Sequence, residues 1–284
     1  MPSAQLESML SQWDSDTTLF ASNQFARRAE VQDEMEHLLG VAALDSHLEH
    51  DLIRRARALQ AKLESINNHL FASIRCEIQA GRCPAEFTSI LHGLATPPRG
   101  LAYTFLDDLL TGVFQFDPPA QEARPLTPDS VFYQPTPARH IFRLISAAAI
   151  TRADTLIDLG SGLGHVPLLV SICTGATSIG IELDPTWIAS ARSCADQLGL
   201  SSVSFVTQDA REANLSDGSV FYLYTPFTGL TLARILDSLR TQAKSHPIRI
   251  CSFGPCTVTI AQQPWLHPSS PPDSEQLTVF HSVS

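Results

Sequence analysis

The sequence is short of several things, and each shortage narrows the field. No apolar run approaches the roughly 18 residues that a membrane-spanning helix needs, so no membrane segment is expected. The opening MPSAQLESMLSQWDSD has no basic start followed by an apolar stretch, so it does not read as a signal peptide. The six cysteines (Cys76, Cys83, Cys173, Cys194, Cys251 and Cys256) are scattered, and none forms C-x-x-C. Without that spacing neither a zinc site nor a redox motif is expected, and a reduced, cytoplasmic protein fits best. None of the ten histidines has a helical i, i+4 partner near a third ligand, so no metal is expected. Basic residues are scarce too: 19 Lys and Arg stand against 29 Asp and Glu, a net charge of −10. Residues 1–130 carry −8 of it, from 10 basic and 18 acidic side chains. Affinity for a phosphate backbone comes mainly from Lys and Arg, so nucleic acid is not an expected partner. Acidity that merely keeps the chain soluble is the plainer reading of the same numbers.

What is present divides the chain. From Asp45, the apolar positions Leu48, Leu52, Ala56, Leu59, Leu63, Ile66, Leu70 and Ile74 recur in steps of three and four. That spacing puts them on one face of a helix, capped by Asp45 or Ser46 and stopped by Gly81 and Pro84. Phe20 to Leu39 reads as a second helix ending at Gly40, with shorter segments near 85–95 and 101–115. The heptad-like steps would also suit a homodimer through these helices; packing inside their own domain is the competing reading. Then FDPPAQEARPLTPDS intervenes, with four prolines that stop both helices and central strands. The division is therefore a helical domain over 1–116, a linker over 117–130, and a second domain over 131–284.

In that second domain, strands and helices alternate. Strands are predicted at Thr155–Leu159, Ser178–Glu182, Val203–Thr207, Val220–Tyr224, Ile248–Phe253 and Leu277–Val283. Helices are predicted near 165–173, 186–198 and 229–244, after one that ends near Ala148. Such alternation implies right-handed crossovers and a doubly wound, Rossmann-like α/β sheet. The last strand follows HPSSPPDSEQ with no room for a helix, so it should add antiparallel.

The stretch DTLIDLGSGLGHVPLLV holds the chemistry. Its glycines, Gly160, Gly162 and Gly164, follow G-x-G-x-G, whereas a nicotinamide or flavin site favours G-x-G-x-x-G. Asp158 stands two residues before them, where a carboxylate suits a ligand with an ammonium group. Glu182 ends the next strand and can accept both hydroxyls of a ribose. Asp209 follows the third strand and can accept from an adenine amino group. Each has a plainer use: Asp158 can satisfy a turn, Asp209 can cap one, and Asp184 before Pro185 reads as a helix cap.

Taken in order, DLGSGLG, GIELD and QDA resemble the class I S-adenosylmethionine-dependent methyltransferases over about residues 130–284. The resemblance implies S-adenosyl-L-methionine as cofactor. The glycine loop, with Asp158, would lie under its amino acid end, Glu182 on its ribose and Asp209 at its adenine. VFYQPTPARHIF, before the first strand, carries Tyr133 and Thr136 in the Y-x-x-T spacing of the DOT1-like histone lysine methyltransferases. By that similarity these two residues would reach the methionine end. Beyond the fourth strand, YTPF resembles the [N/D/S]-P-P-[Y/F] motif of amine and amide methyltransferases. Tyr224, Thr225 and Phe227 would then hold the acceptor, with Thr225 standing where those enzymes have an amide or acid.

His165 opens the helix after the glycines and could serve as a general base. A side chain packed at the loop edge is the plainer reading, and His140 and Tyr222 are remoter alternatives. The acceptor expected is a small molecule or a protein side chain, covered by the N-terminal helices. Two rival readings stand beside methyl transfer. Aminopropyl transfer on the same fold would need acids beyond the fourth strand, which YTPFTG lacks. A non-catalytic cofactor-binding subunit, its helices docking a partner, would suit the atypical fourth motif.

Overall fold

A computed structural model describes residues 2–42, 50–93, 104–117 and 134–283. The helices are α1 (Pro2–Ser15), α2 (Phe25–Ala42), α3 (His50–Gln79), α4 (Ala85–Gly93), α5 (Thr104–Phe114) and α6 (Ala138–Ala147). Then β1 (Thr155–Leu159), α7 (His165–Thr174), β2 (Thr177–Glu182), α8 (Pro185–Gln197) and β3 (Val203–Thr207) alternate. The chain continues through β4 (Val220–Tyr224), α9 (Gly229–Ala243), β5 (Arg249–Phe253), α10 (Cys256–Ala261), β6 (Leu266–Pro268) and β7 (Thr278–Ser282). By contact it forms two compact units, Met1–Cys76 with Arg99–Val113, and Glu77–Pro98 with Phe114–Ser284. The proposed caps Asp45 and Ser46, most of the proline-rich linker and Tyr133 lie outside the described residues.

The first unit is helical throughout its described residues. Leu52, Ala56, Leu59 and Leu63 of the α3 stripe are buried with Leu6, Leu10 and Trp13 of α1 and Val31, Met35 and Leu38 of α2. These four residues of the stripe thus pack inside their own unit. Arg28 is fully buried, and its guanidinium donates to Asn67 Oδ1 (2.6 Å), Leu19 O (3.0 Å) and Ala21 O (2.5 Å). Those acceptors offset the desolvation of its charge and tie the turn before α2 to α3. Helix α1 is an addition to the sequence reading. Another correction concerns α2, which starts at Phe25, after a 3₁₀ turn at Thr17–Phe20, and runs through Gly40 to Ala42. Mid-helix glycine costs roughly 1 kcal/mol, less than the burial of neighbouring Leu38 returns.

The second unit is a seven-stranded sheet in the order β3-β2-β1-β4-β5-β7-β6. Strands β1 to β5 pair in parallel, and β7 adds antiparallel to β5 as expected. The short strand β6 was not expected; it pairs with β7 and forms the sheet edge. Along β1 and β4 the residues alternate between faces. Ile157, Leu159, Phe221 and Leu223 face one core, shared with Leu232, Ile235, Leu236 and Leu239 of α9. Each such side chain contributes about 1.5–3 kcal/mol on burial, so this helix is held on the sheet by its apolar stripe. Asp158 and Tyr222, at the intervening positions, turn to the opposite face. The strand order reverses between β1 and β4, which opens a crevice at their carboxyl ends. Among the described residues no helix is long and apolar enough to cross a membrane.

Candidate functional site

The glycine loop fills the turn from β1 into α7. Gly160 N and Ser161 N both donate to Ile181 O of β2, at 2.8 and 3.0 Å. Gly160 has φ +87°, and a Cβ there would lie 2.5 Å from Pro226 Cβ. Glycine is thus required at this point by the close approach of the β1 and β4 loops. Gly162 N donates to Glu182 Oε2 at 3.1 Å. Gly164, with φ +82°, precedes α7 and gives it no side-chain cap.

The acids flank that loop. Glu182 is half-buried, and its Oε1 also accepts from Leu183 N (2.7 Å) and Asp184 N (3.1 Å). The second strand's acid therefore ties three backbone N–H groups together beside the loop. Asp158 is 4% exposed, and no basic side chain pairs with it among the described residues. Burial, then the charge of Glu182, holds its carboxyl well above the usual carboxylate range. Opposite it, Gly180 leaves room for Ser161: a Cβ there would fall 2.7 Å from Ser161 Oγ. That hydroxyl is buried without a partner. Thr136 Oγ1 lies 3.3 Å from the buried Tyr222 hydroxyl. Asp158, Gly160, Gly162, Glu182 and Thr136 thus belong to one neighbourhood. Ser161 was passed over by motif reasoning, and Tyr222 was read only as a remote alternative base; strand register was the signal that could have placed both beside Asp158.

Asp209 follows Gln208, whose N–H donates to Glu182 O at 3.0 Å, and has partners of its own. It accepts from Arg211 N (2.9 Å) as the cap of a short 3₁₀ turn, and its carboxylate pairs with the Arg211 guanidinium (2.5–3.0 Å). Those bonds hold its carboxyl below the usual range. Asp184 caps α8 through Thr186 N at 2.8 Å, as its place before proline suggests.

The loop after β4 corrects one expectation. Thr225 has φ +40° and is 7% exposed. Its hydroxyl donates to Phe253 O (3.1 Å) and accepts from Cys256 N (3.2 Å), so it is not available to an acceptor. Only its backbone carbonyl remains for the part that the motif gives a side-chain amide. Tyr224 is half-buried, with its ring 4.9 Å from that of Phe253. Phe227 is half-exposed and packs against the core shared with α9.

The histidines fit the plainer reading. His165 packs against Phe116 (4.7 Å) and Phe114 (6.0 Å), and burial brings its pKa down to about 4. His140 lies 4.1 Å from the Phe253 ring, its Nδ1 buried without a partner. Burial and then Arg139 and Arg143 bring it to about 4 as well. Both are neutral near pH 7. Among the described residues no group of three His, Cys, Asp or Glu side chains could hold a metal ion.

No family model and no curated protein matches the chain. Solved structures do. An RNA methyltransferase from Salinibacter ruber, in complex with S-adenosyl-L-homocysteine, is 28% identical over 52% of this chain and 92% of its own, with TM-score 0.41. The precorrin-6y C5,15-methyltransferase from Geobacter metallireducens is 14% identical over 60% and 94%, also at TM-score 0.41. A methyltransferase from Thiobacillus denitrificans, with S-adenosyl-L-homocysteine, is 22% identical over 42% and 48%, at TM-score 0.36. The chain's own sheet order and strand directions, with acids at the carboxyl ends of β1, β2 and β3, are those of a Rossmann-like α/β fold.

Proposed function

We propose that the chain is an S-adenosylmethionine-dependent methyltransferase whose acceptor is a small molecule or a protein side chain. One observation carries the cofactor assignment. Asp158 is buried with no basic side chain paired to it among the described residues, and the charge of Glu182 beside the glycine loop adds to its cost of ionisation. A buried acid next to a half-buried one, without a counter-charge, favours a cation. The cofactor carries an ammonium and a sulfonium, and it fits where a pyrophosphate would be repelled. When bound, it supplies an electrophilic methyl group on sulfur.

The protein's part is alignment and exclusion of water, which alone can supply several kcal/mol. Asp158 would hold the ammonium end and Glu182 the ribose, while Asp209 would meet the adenine edge from its Arg211 pair. Tyr133 and Thr136 would close over the methionine end. The acceptor would sit beside Tyr224 and Phe227, with the Thr225 carbonyl as hydrogen-bond acceptor. A proton-removing histidine is not part of this reading, since His165 is packed between phenylalanine rings. The charge of −8 on residues 1–130 supports an acceptor other than nucleic acid. A cytoplasmic location remains part of the proposal.

Calorimetric titration tests the cofactor. S-adenosyl-L-homocysteine should bind and NAD should not; the reverse overturns the assignment. Methyl transfer from labelled S-adenosylmethionine into cell-extract fractions tests the enzyme. Binding without transfer favours the non-catalytic subunit, and steep loss of RNA affinity with salt would favour a nucleic acid acceptor.

A further inference from the structure

Away from the candidate site, two thiols of the second unit lie together. Cys83 stands just before Pro84 and the first residue of α4, and Cys173 stands on the last turn of α7. Far apart in sequence, their side chains share a hydrogen bond. Both are half-buried and unbridged, so a small solute can reach them. Cys194, Cys251 and Cys256 are buried, and Cys76, which is exposed, belongs to the other unit.

The two sulfurs are not equivalent. Cys83 sits at the N-terminus of α4, where the helix dipole favours negative charge. The Thr88 hydroxyl lies 3.6 Å from Cys83 Sγ and 3.1 Å from Pro84 O, and its one hydrogen can turn to the sulfur when that carries charge. The Cys173 thiol foremost, and then Thr88, bring Cys83 down to about 6, against burial and the charge of Glu77. The same thiol–thiol bond, with burial and then the charge of Cys83, holds Cys173 well above the usual thiol range. Near pH 7 one sulfur of the pair is therefore a thiolate and the other keeps its proton.

We propose that Cys83 and Cys173 form a redox-active dithiol that reduces peroxides and closes to a disulfide, with Cys83 as the attacking sulfur and Cys173 as the resolving one. The oxidant is a peroxide, and the inference is independent of the cofactor reading above. The Cys83 thiolate attacks one oxygen of hydrogen peroxide and the O–O bond breaks. Hydroxide leaves and takes a proton from solvent, and Cys83 becomes a sulfenic acid. The Cys173 sulfur then attacks the Cys83 sulfur, the S–O bond breaks, and the hydroxyl leaves as water with the Cys173 proton. Two electrons pass from the sulfur pair to the peroxide, and two waters form. The bond ties the segment before α4 to α7, the helix that starts at the glycine loop.

The experiment treats the reduced full chain with hydrogen peroxide near pH 7, alkylates the remaining thiols and maps the peptides by mass spectrometry. The Cys83–Cys173 peptide pair should appear, and two of the six free thiols should be lost and regained with dithiothreitol. In Cys173→Ala the reaction should stop at a Cys83 sulfenic acid that dimedone traps. In Cys83→Ala, Cys173 should survive the same dose. Thr88→Val should raise the midpoint of Cys83 thiolate formation, followed by ultraviolet absorbance; an unmoved midpoint overturns the role of Thr88 as a positioning residue. A disulfide through any other cysteine overturns the inference, as does oxidation of Cys83 in the natural chain that leaves Cys173 as a free thiol. Oxidation of Cys173 in Cys83→Ala at the same rate as in the natural chain overturns the order of attack. Where a variant does not fold, the natural chain alone decides, by which two residues carry the bond.

Discussion

Replacing Thr225 by valine should destabilise the sheet unit by about 2–4 kcal/mol, and the size follows from opposing effects. The backbone at Thr225 has φ +40°, a left-handed conformation that costs a β-branched residue about 1–3 kcal/mol. Against that, the hydroxyl donates to Phe253 O and accepts from Cys256 N. Valine keeps the branched Cβ, so the strain stays while both bonds are lost. The Cys256 N–H is then left in a site where that residue is 3% exposed, at about 1–3 kcal/mol for each unpaired group. Serine keeps the hydroxyl and should stay within about 1 kcal/mol of the natural protein. Glycine removes the strain but also both bonds, and should fall between serine and valine. In thermal unfolding, the valine variant should melt roughly 4–16 °C lower. Urea unfolding followed by fluorescence should rank threonine and serine first, then glycine, then valine. A valine variant as stable as the serine one would refute the hydrogen-bond argument. A glycine variant more stable than threonine would show that strain outweighs it.

Other perturbations read different parts of the molecule. Glu182→Ala removes the acceptor for Gly162, Leu183 and Asp184 N–H and should weaken S-adenosyl-L-homocysteine binding about 10–150-fold, with Glu182→Gln between. An unchanged dissociation constant would mean that the ribose acid is elsewhere. Cys83 is half-buried, with its thiol drawn down to about 6, first by a hydrogen bond from the Cys173 side chain. Iodoacetamide should therefore label it faster than Cys76 at pH 7, with a rate that levels off above about pH 6; equal rates would refute this. His140 and His165, ordinarily near 6.5, are held at about 4 by burial. A lowered histidine stabilises above its unfolded value and loses that stability as pH falls from about 6.5 to 4, by at most about 3 kcal/mol each. The urea midpoint should fall between pH 7 and pH 5, less steeply in His140→Phe; equal slopes would exclude His140.

The parts of the fold that could be read from sequence share one physical feature: their signal is local. Thr155–Leu159 and Val220–Tyr224 carry the predicted bounds, because central parallel strands need an unbroken apolar run and end where a turn begins. Helix α1 was legible too: Leu6, Leu10 and Trp13 follow i, i+4, i+7 and are all buried, but polar neighbours mask the stripe. Strand β6 has only three residues and ends in Pro268, which has no N–H to donate; it exists because β7 supplies a partner. Helix α10 is the instructive failure. CTVTIA is rich in β-branched residues and by propensity reads as strand. Pro255, before it, gives no side-chain cap. The N–H of Cys256 is capped instead by Thr225, 31 residues earlier in the chain. The helix was therefore missed, and the hydroxyl misassigned, for a single reason. A motif assigns Thr225 by its neighbours in sequence, whereas its hydroxyl is spent on a neighbour in space. The threonine after the fourth strand departs from the amide motif because, in this chain, its hydroxyl holds the sheet's carboxyl edge together, joining the end of β5 to the start of α10.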